Sequence, residues 1–409
     1  MRDPSKLAFA QPFFAVFVSS CEARGNKPCR QSMIRILHVY RTYFPDTQGG
    51  LEDVIRTLAS GLARDRFDVV VFCPSRQVRC VEEVEVDGVR VCRVPELFEV
   101  ASCNVFLCGL GAFRRWARWA DIVHYHFPWP FADILHLLVA GHPRPKSVLT
   151  YHSDIVRQRL LGRIYAPLMR RFLRSVDRIV ATSEPYMRGS ALLGEFAPGV
   201  RVIPIGIDAA RVERAQSARL QAWRSQVGEG FFFFVGVLRY YKGLEVLLHA
   251  VAGTGLRVVI AGDGPEGPRL RALAERLGAG NVQFAGRIAD ADKWALLELS
   301  RAMVFPSNVR SEAYGVALLE AMACARPVIS VDIDSGMNFV NVPGETGLWV
   351  APDDPAALRG AMLQLEGDDV LCKRLGLAGR QRVATTLSAR RMIDAYQSLY
   401  CELLGEVVV

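Results

Sequence analysis

The sequence predicts an α/β protein built from two doubly wound, Rossmann-like domains, and three observations carry that prediction. Short apolar runs rich in Val, Ile and Phe alternate with stretches of helical periodicity, and they do so in two series. A polar segment near residues 205–230 parts the series; it opens on Pro204-Ile205-Gly206-Ile207-Asp208 and closes on Gly228-Glu229-Gly230. A chain of 409 residues with 51% hydrophobic content has room for two ordinary domains whose parallel strands are buried on both faces.

Residues 1–32 are set apart from the fold. Residues 6–18 are apolar but short and broken by Pro12, and Val18-Ser19-Ser20-Cys21 has the form of a lipoprotein cleavage site. A secretory signal is therefore one reading. The preferred one is a disordered extension, because Met33-Ile34-Arg35-Ile36-Leu37-His38-Val39 reads as a natural first strand.

Gln48-Gly49-Gly50-Leu51-Glu52 follows that strand and leads into a helix with apolar Val54, Ile55, Leu58 and Leu62. Paired glycines at a strand-to-helix turn let a ligand approach backbone amides. Strands are expected at 69–73, 89–94, 121–125, 147–151, 178–181 and 200–203. Ligands of such sheets bind at the carboxyl ends of strands, which is where His126 and His152 fall. His124 and His126 share a strand face; a metal there is disfavoured because no third ligand is evident.

Charge is uneven. The net +8 divides into +9 for residues 1–204 and −1 for 205–409. Arg114, Arg115 and Arg118 alternate with Phe113, Trp116 and Trp119, and seven arginines between 157 and 178 surround Leu160, Leu161, Ile164, Leu168 and Phe172. Two readings stay open: an amphipathic helix on an anionic membrane face, or a solvated helix whose apolar stripe packs on the sheet. No nucleic-acid-binding motif accompanies the charge. No run after the N-terminus approaches 18 uninterrupted apolar residues, so no membrane-spanning helix is expected.

The second series begins at 231–235 and continues at 256–261, 282–284, 302–305 and 327–331. The domains are accordingly placed at 33–205 and 206–386. A C-terminal helix within 387–409 is free to pack back on the N-terminal domain. The ten cysteines form no Cys-x-x-Cys pair and read as reduced thiols, without structural zinc.

The chemistry concentrates in the second half. Ser311-Glu312-Ala313-Tyr314-Gly315-Val316-Ala317-Leu318-Leu319-Glu320 reads as a loop entering a helix. A helical path between its two carboxylates would span roughly 12 Å, beyond the ~5–9.5 Å of a glycosidase acid/base pair. The glutamates suit two holds on one hydroxyl-rich ligand, with the free amides of Tyr314, Gly315 and Val316 favouring anions or hydroxyl oxygens. Arg239 and Lys242, three residues apart between glycines, suit a diphosphate or are ordinary surface charges. Gly262-Asp263-Gly264-Pro265 permits a tight turn with Pro265 opening a helix. It is not Gly-x-Gly-x-x-Gly, and no acidic residue is placed for an NAD ribose, which argues against a dehydrogenase.

Taken together, Gly49-Gly50, His152-Ser153-Asp154, Pro204-Ile205-Gly206-Ile207-Asp208, Arg239/Lys242, Gly262-Asp263-Gly264-Pro265 and the Glu312–Glu320 segment resemble family 4 glycosyltransferases of the GT-B fold, over residues 33–405. Leu238-Arg239-Tyr240-Tyr241-Lys242-Gly243-Leu244 and Tyr40-Arg41-Thr42-Tyr43-Phe44-Pro45 are similar to O-antigen and A-band mannosyl- and D-rhamnosyltransferases that use GDP-sugars.

That resemblance implies two facing domains with a deep cleft, an N-terminal acceptor domain and a C-terminal donor domain. It implies a retaining hexosyltransferase of lipopolysaccharide biosynthesis acting on a lipid-linked saccharide. Arg239 and Lys242 would hold the diphosphate, Glu320 the ribose, and Glu312 with the amides near Tyr314, Gly315 and Val316 the sugar. Gly49 and Gly50 would approach the phosphates, Gly262 would line the donor, Arg287 and Ile288 would frame the base, His152 would stand beside the reacting centre and His126 would touch the acceptor. No metal or other cofactor is expected, in keeping with the lack of a metal-holding Asp-x-Asp loop. The expected place is the cytoplasm, peripheral at the inner face of the cytoplasmic membrane.

Where relatives carry Gly-Gly-x-x-Glu, this chain has Asp334-Ser335-Gly336-Met337-Asn338-Phe339, and Tyr314 replaces a common Phe. Two alternatives remain: a nucleotide-sugar 2-epimerase of the same architecture, and a non-catalytic nucleotide-sugar-binding partner of a transferase.

Overall fold

A computed structural model of the protein describes residues 33–63, 66–100, 103–138, 145–155, 159–209 and 217–406, with the side chains of 159–163 excepted. The extension 1–32 and Arg157 lie outside them, and every absence stated below concerns these described residues.

The first sheet is built from β1 (Ile34–Val39), β2 (Phe67–Ser75), β3 (Glu82–Val86) and β4 (Val89–Pro95). After a small antiparallel ribbon, β5 (Phe98–Val100) with β6 (Cys103–Val105), it continues with β7 (Ile122–Phe127), β8 (Lys146–Tyr151), β9 (Arg178–Ala181) and β10 (Val200–Val202). Its order is β10-β9-β8-β7-β1-β2-β4-β3, parallel except for the β3–β4 pair. The sequence reading lacked β3. Asp87 and Gly88 both take positive φ, as a two-residue hairpin requires, and Glu83 and Glu85 of β3 face solvent on the edge.

The second sheet holds β11 (Phe232–Val235), β12 (Val258–Ala261), β13 (Val282–Gly286), β14 (Ala302–Phe305), β15 (Val328–Val331) and β16 (Gly347–Val350), all parallel, in the order β13-β12-β11-β14-β15-β16. Only β16 was missed; Gly347 and Trp349 disguise a short edge strand. Burial is near complete in β11, β12, β14 and β15 because helices cover both faces.

Two chain crossings join the sheets, side by side. Ile207 donates to the Leu387 carbonyl at 3.0 Å and accepts from the Ala389 amide at 2.9 Å. Gly206 lies so close to the Ser388 carbonyl that any side chain there would strike it. Helix Ala389–Leu404 then runs over the first sheet: Tyr396 and Tyr400 point into it, Arg66 pairs with Glu406 at 2.7 Å, and Arg178 and Arg201 both reach Glu402. The helix that ends the chain therefore covers the domain that begins it.

Candidate functional site

The order of each sheet reverses at a central strand. In the first sheet β1 lies between β2 and β7; in the second β11 lies between β12 and β14. Crevices for ligands open at the carboxyl ends of such switch strands. The loops leaving β11 and β14 carry Lys242 and Glu312, and those leaving β1, β7 and β8 carry Gly49-Gly50, the end of the histidine face and His152.

Lys242 closes a 3-10 turn, Tyr240–Lys242, and its Nζ meets Glu312 Oε2 at 2.5 Å, with side chains 11% and 13% exposed. Nζ also lies 4.5 Å from the centre of the Phe305 ring. Arg239 turns elsewhere: it is exposed and lines a small pocket of about 140 Å³ with Tyr240, Glu245, Arg269 and Asn308. The glycines of this region bring loops together. Gly243, at φ 66°, lies against the Pro306 carbonyl, and Gly262, at φ 126°, against the Gly236 carbonyl. Pro265 does not open the next helix; the chain needs a further turn, and helix Gly267–Arg276 carries Pro268 in its first turn instead.

Helix Val316–Ala323 starts after Gly315, at φ 79°, with no side chain capping its amides. Glu320, on its outer face, binds Lys293 Nζ at 2.7 Å. The sequence reading missed Lys293, and with it Asp53. Burial raises the Asp53 carboxyl to about 6 despite the nearby Lys293 cation, and Asp290 and Glu320 add to the rise. Asp53 stands in the first turn of the helix after the switch strand β1, and Lys293 in the first turn of the helix after the edge strand β13. The two glutamates thus hold one lysine each.

The two halves meet over this site. A methyl group at Gly50 would sit 3.4 Å from Cβ of Val316, so the start of helix Gly50–Leu62, also uncapped by a side chain, faces the start of helix Val316–Ala323. Tyr314 is spent on structure: its buried hydroxyl donates to the Ile205 carbonyl at 2.9 Å, tying the loop to the crossing segment. Arg310 lies over the Tyr186 ring at 5.0 Å and donates to the Asp334 carbonyl. Asp334 begins the stretch that replaces Gly-Gly-x-x-Glu, where Ser335 and Asn338 cap helix Gly336–Val340 reciprocally. Arg287 and Ile288 follow β13, Arg287 exposed and Ile288 half-buried.

The His152-Ser153-Asp154 loop is held by Asp154, which accepts from Tyr151 at 2.7 Å, Ser190 at 2.8 Å and Tyr186 at 3.0 Å. His152 Nε2 lies 3.1 Å from His126 Nδ1, so His126 is a neighbour of His152 inside the domain. Burial alone lowers His152 to about 3, leaving it neutral. The expectation that His124 and His126 lack a third partner is corrected: His38, opposite His124 on β1, completes a cluster whose nitrogens lie within 4.8 Å.

Two Asp-x-Asp triplets do occur, contrary to the sequence reading, at Asp290-Ala291-Asp292 and Asp332-Ile333-Asp334. Asp292 is taken by Arg219 and Trp223, Asp332 by Asn338, and none of the four joins a cluster of potential metal ligands among the described residues. Helix Leu110–Trp119 packs Phe113 and Trp116 into the core, so its aromatic stripe serves the sheet. Helix Arg159–Ser175 buries Phe172 and Leu173 yet leaves Ile164 74% exposed.

What this arrangement can do is hold a dianion. Two open helix starts and an adjacent lysine converge from opposite domains, while paired carboxylates flank them for hydroxyl groups. The chain is similar to known proteins over most of its length. The model described as glycosyltransferase family 4 matches residues 48–211, and that described as glycosyl transferases group 1 matches residues 217–382. The O-antigen chain mannosyltransferase C of Escherichia coli is 43% identical over 373 residues, 91% of this chain and 99% of that protein. The D-rhamnosyltransferase WbpZ of Pseudomonas aeruginosa is 47% identical over 329 residues, 80% and 86% of the two chains. Among solved structures, sucrose-phosphate synthase from Thermosynechococcus elongatus superposes with a TM-score of 0.76 at 20% identity, over 91% of this chain and 99% of its own.

Proposed function

The chain belongs to the group 1 and family 4 glycosyltransferases, with the GT-B fold, and we propose that it moves mannose or D-rhamnose from a GDP-sugar to a lipid-linked saccharide during O-antigen assembly. The observation that carries this reading is the facing pair of uncapped helix starts at Gly50 and Val316, with the Lys242–Glu312 pair on the loops beside them. Breaking the anomeric bond builds negative charge on the departing diphosphate. Fixed amides and a cation aimed there lower the barrier. Lys242 would leave Glu312 for the phosphates, which frees Glu312 for sugar hydroxyls. Glu320 and Lys293 would take the ribose, Arg239 would close over the diphosphate, and Arg287 and Ile288 would frame the base. His152, uncharged, would stand beside the reacting centre. Transfer proceeds with retention and without a metal on this reading.

The acceptor is lipid-linked, and the N-terminal domain would rest on the inner face of the cytoplasmic membrane. Leu97, Phe98, Val100 and Leu107 around the β5–β6 ribbon are exposed, as are Ile134 and Leu138 on helix Pro130–Leu138 beside it and Ile164 on helix Arg159–Ser175, which packs on that helix. Such an apolar face on the basic half of the chain suits an anionic lipid surface. No helix of the described residues is long and apolar enough to cross a membrane.

The test is transfer itself. Purified protein is incubated with GDP-mannose or GDP-D-rhamnose and polyprenyl-linked saccharides, and the product is read by mass and anomeric NMR. An α-linked hexose from an α-linked donor is expected. Conversion of the donor to its C2 epimer without acceptor would replace this reading with the epimerase.

A further inference from the structure

Three histidines on three adjacent strand ends lie in line. His38 Nδ1 is 3.1 Å from His126 Nε2, and His126 Nδ1 is 3.1 Å from His152 Nε2. Both neighbouring ring pairs have centroids 5.3 Å apart and planes 22° apart. A centroid separation of that size is what an in-line contact of 3.1 Å needs once a ring radius is added at each end. Each lone pair therefore points straight at the next N–H. His124 stands out of this line, stacked on His126 at 4.4 Å, with both its nitrogens engaged by Tyr400 and Thr150 at 2.7 Å. For a metal to bind the cluster, His124 would have to surrender such a bond and the in-line pair would have to break.

The proton count is strict. Burial keeps His38 and His152 neutral, each lowered to about 3, and lowers His126 well below its usual range. Three neutral imidazoles carry three N–H groups and three lone pairs. Two contacts use two of each. One N–H and one lone pair remain, at opposite ends, and the ends are His38 Nε2 and His152 Nδ1, both buried and without a partner among the described residues. The three rings must therefore share one tautomer, all Nε2–H or all Nδ1–H. Imidazole intrinsically prefers the Nε2–H form.

We propose that His38 and His126 are positioning residues for the transfer reaction: they hold His152 as its Nε2–H tautomer and leave its Nδ1 lone pair as the acceptor for a substrate hydroxyl. The proposal rests on the placement of His152 at the reacting centre. An unpartnered buried acceptor is a hydrogen bond withheld from the free protein, and a bound hydroxyl returns it. Second partners of this kind fix which nitrogen of a histidine is available.

Solid-state NMR of the full chain labelled with 15N-histidine tests the relay without any variant. The expected result is His38, His126 and His152 all protonated at Nε2 alone. Differing tautomers among the three, or a stoichiometric metal found on the protein, would overturn it. A second arm compares His126→Gln with His126→Leu. Gln can accept from His152 and donate to His38, so it should retain kcat within about tenfold, whereas Leu, of similar size, should lower kcat by about 10²-fold or more with little change in donor KM. Equal kcat for the two variants would reduce His126 to packing. His152→Ala separates the premise from the proposal. Undiminished kcat with a uniform tautomer in the wild type would remove His152 from the reacting centre and leave the relay standing.

Discussion

Lys242 and Glu312 are bonded at 2.5 Å across two loops that leave adjacent strands of the second sheet, and little of either side chain meets water. On the proposed function the pair would act as a latch, with the cation for the diphosphate held on a carboxylate until the donor arrives. Lys242→Met should therefore lower kcat by about 10²–10³-fold, the usual loss for one charge-stabilising group. It should also destabilise the fold by about 3–5 kcal/mol, because Glu312 is left buried and unpaired. Steady-state kinetics and urea unfolding check the two effects. A variant with normal kcat would remove Lys242 from the phosphates.

Glu320 and Lys293 form a second ion pair, at 2.7 Å, which would act as a latch in the same way. Glu320→Ala should weaken nucleotide-sugar binding by about tenfold or more while sparing kcat at saturating donor, as expected for loss of a charged hydrogen bond worth about 1.5–3 kcal/mol. Titration calorimetry reads it. Unchanged donor affinity would void the ribose assignment.

The fold was largely legible because parallel strands covered on both faces leave continuous apolar runs, as at Phe232, Phe233 and Phe234. What escaped were edge elements. β3 alternates Glu with Val, and β16 is interrupted by Trp349, so neither has a buried run to betray it. At the site, glutamates and glycines announced themselves through their spacing. Lys293, Asp53 and His38 did not, because their partners lie 27 residues away, in another domain, or on a neighbouring strand. The partner of the Tyr314 hydroxyl was hidden for the same reason: the Ile205 carbonyl lies 109 residues away.

Acid should unfold the protein early. His38, His124, His126 and His152 are all lowered from 6.5 by burial. The unfolded chain binds protons there that the folded chain refuses, so stability falls as pH drops below about 6.5 and goes on falling toward about 3. Each such histidine contributes about 1.4 kcal/mol per pH unit in that window. Asp53, raised to about 6, and Asp133, raised by burial, act the other way between their ordinary and folded values and offset part of the loss. Urea midpoints should decline as the pH is lowered from about 6.5 to 5; a flat profile there would contradict the buried neutral histidines.

Membrane attachment should depend on the exposed ribbon. Replacing Leu97, Phe98 and Val100 with Ser should weaken binding to anionic vesicles, and added salt should weaken it further by screening. Cosedimentation checks both. Attachment unaffected by either change would move the lipid contact off this face.

Metal removal should leave transfer intact. EDTA treatment that abolished activity, with recovery on adding Mg²⁺, would restore the Asp-x-Asp triplets as candidates.

The most direct test of the central claim is a thermal-shift series with GDP-mannose, GDP-D-rhamnose, UDP-glucose, ADP-glucose and dTDP-rhamnose. A ligand at 100 times its Kd raises stability by about 2.7 kcal/mol. The account predicts a clear rise in Tm with a GDP-sugar, reduced in Glu320→Ala. A rise with a UDP-, ADP- or dTDP-sugar and none with either GDP-sugar would contradict it.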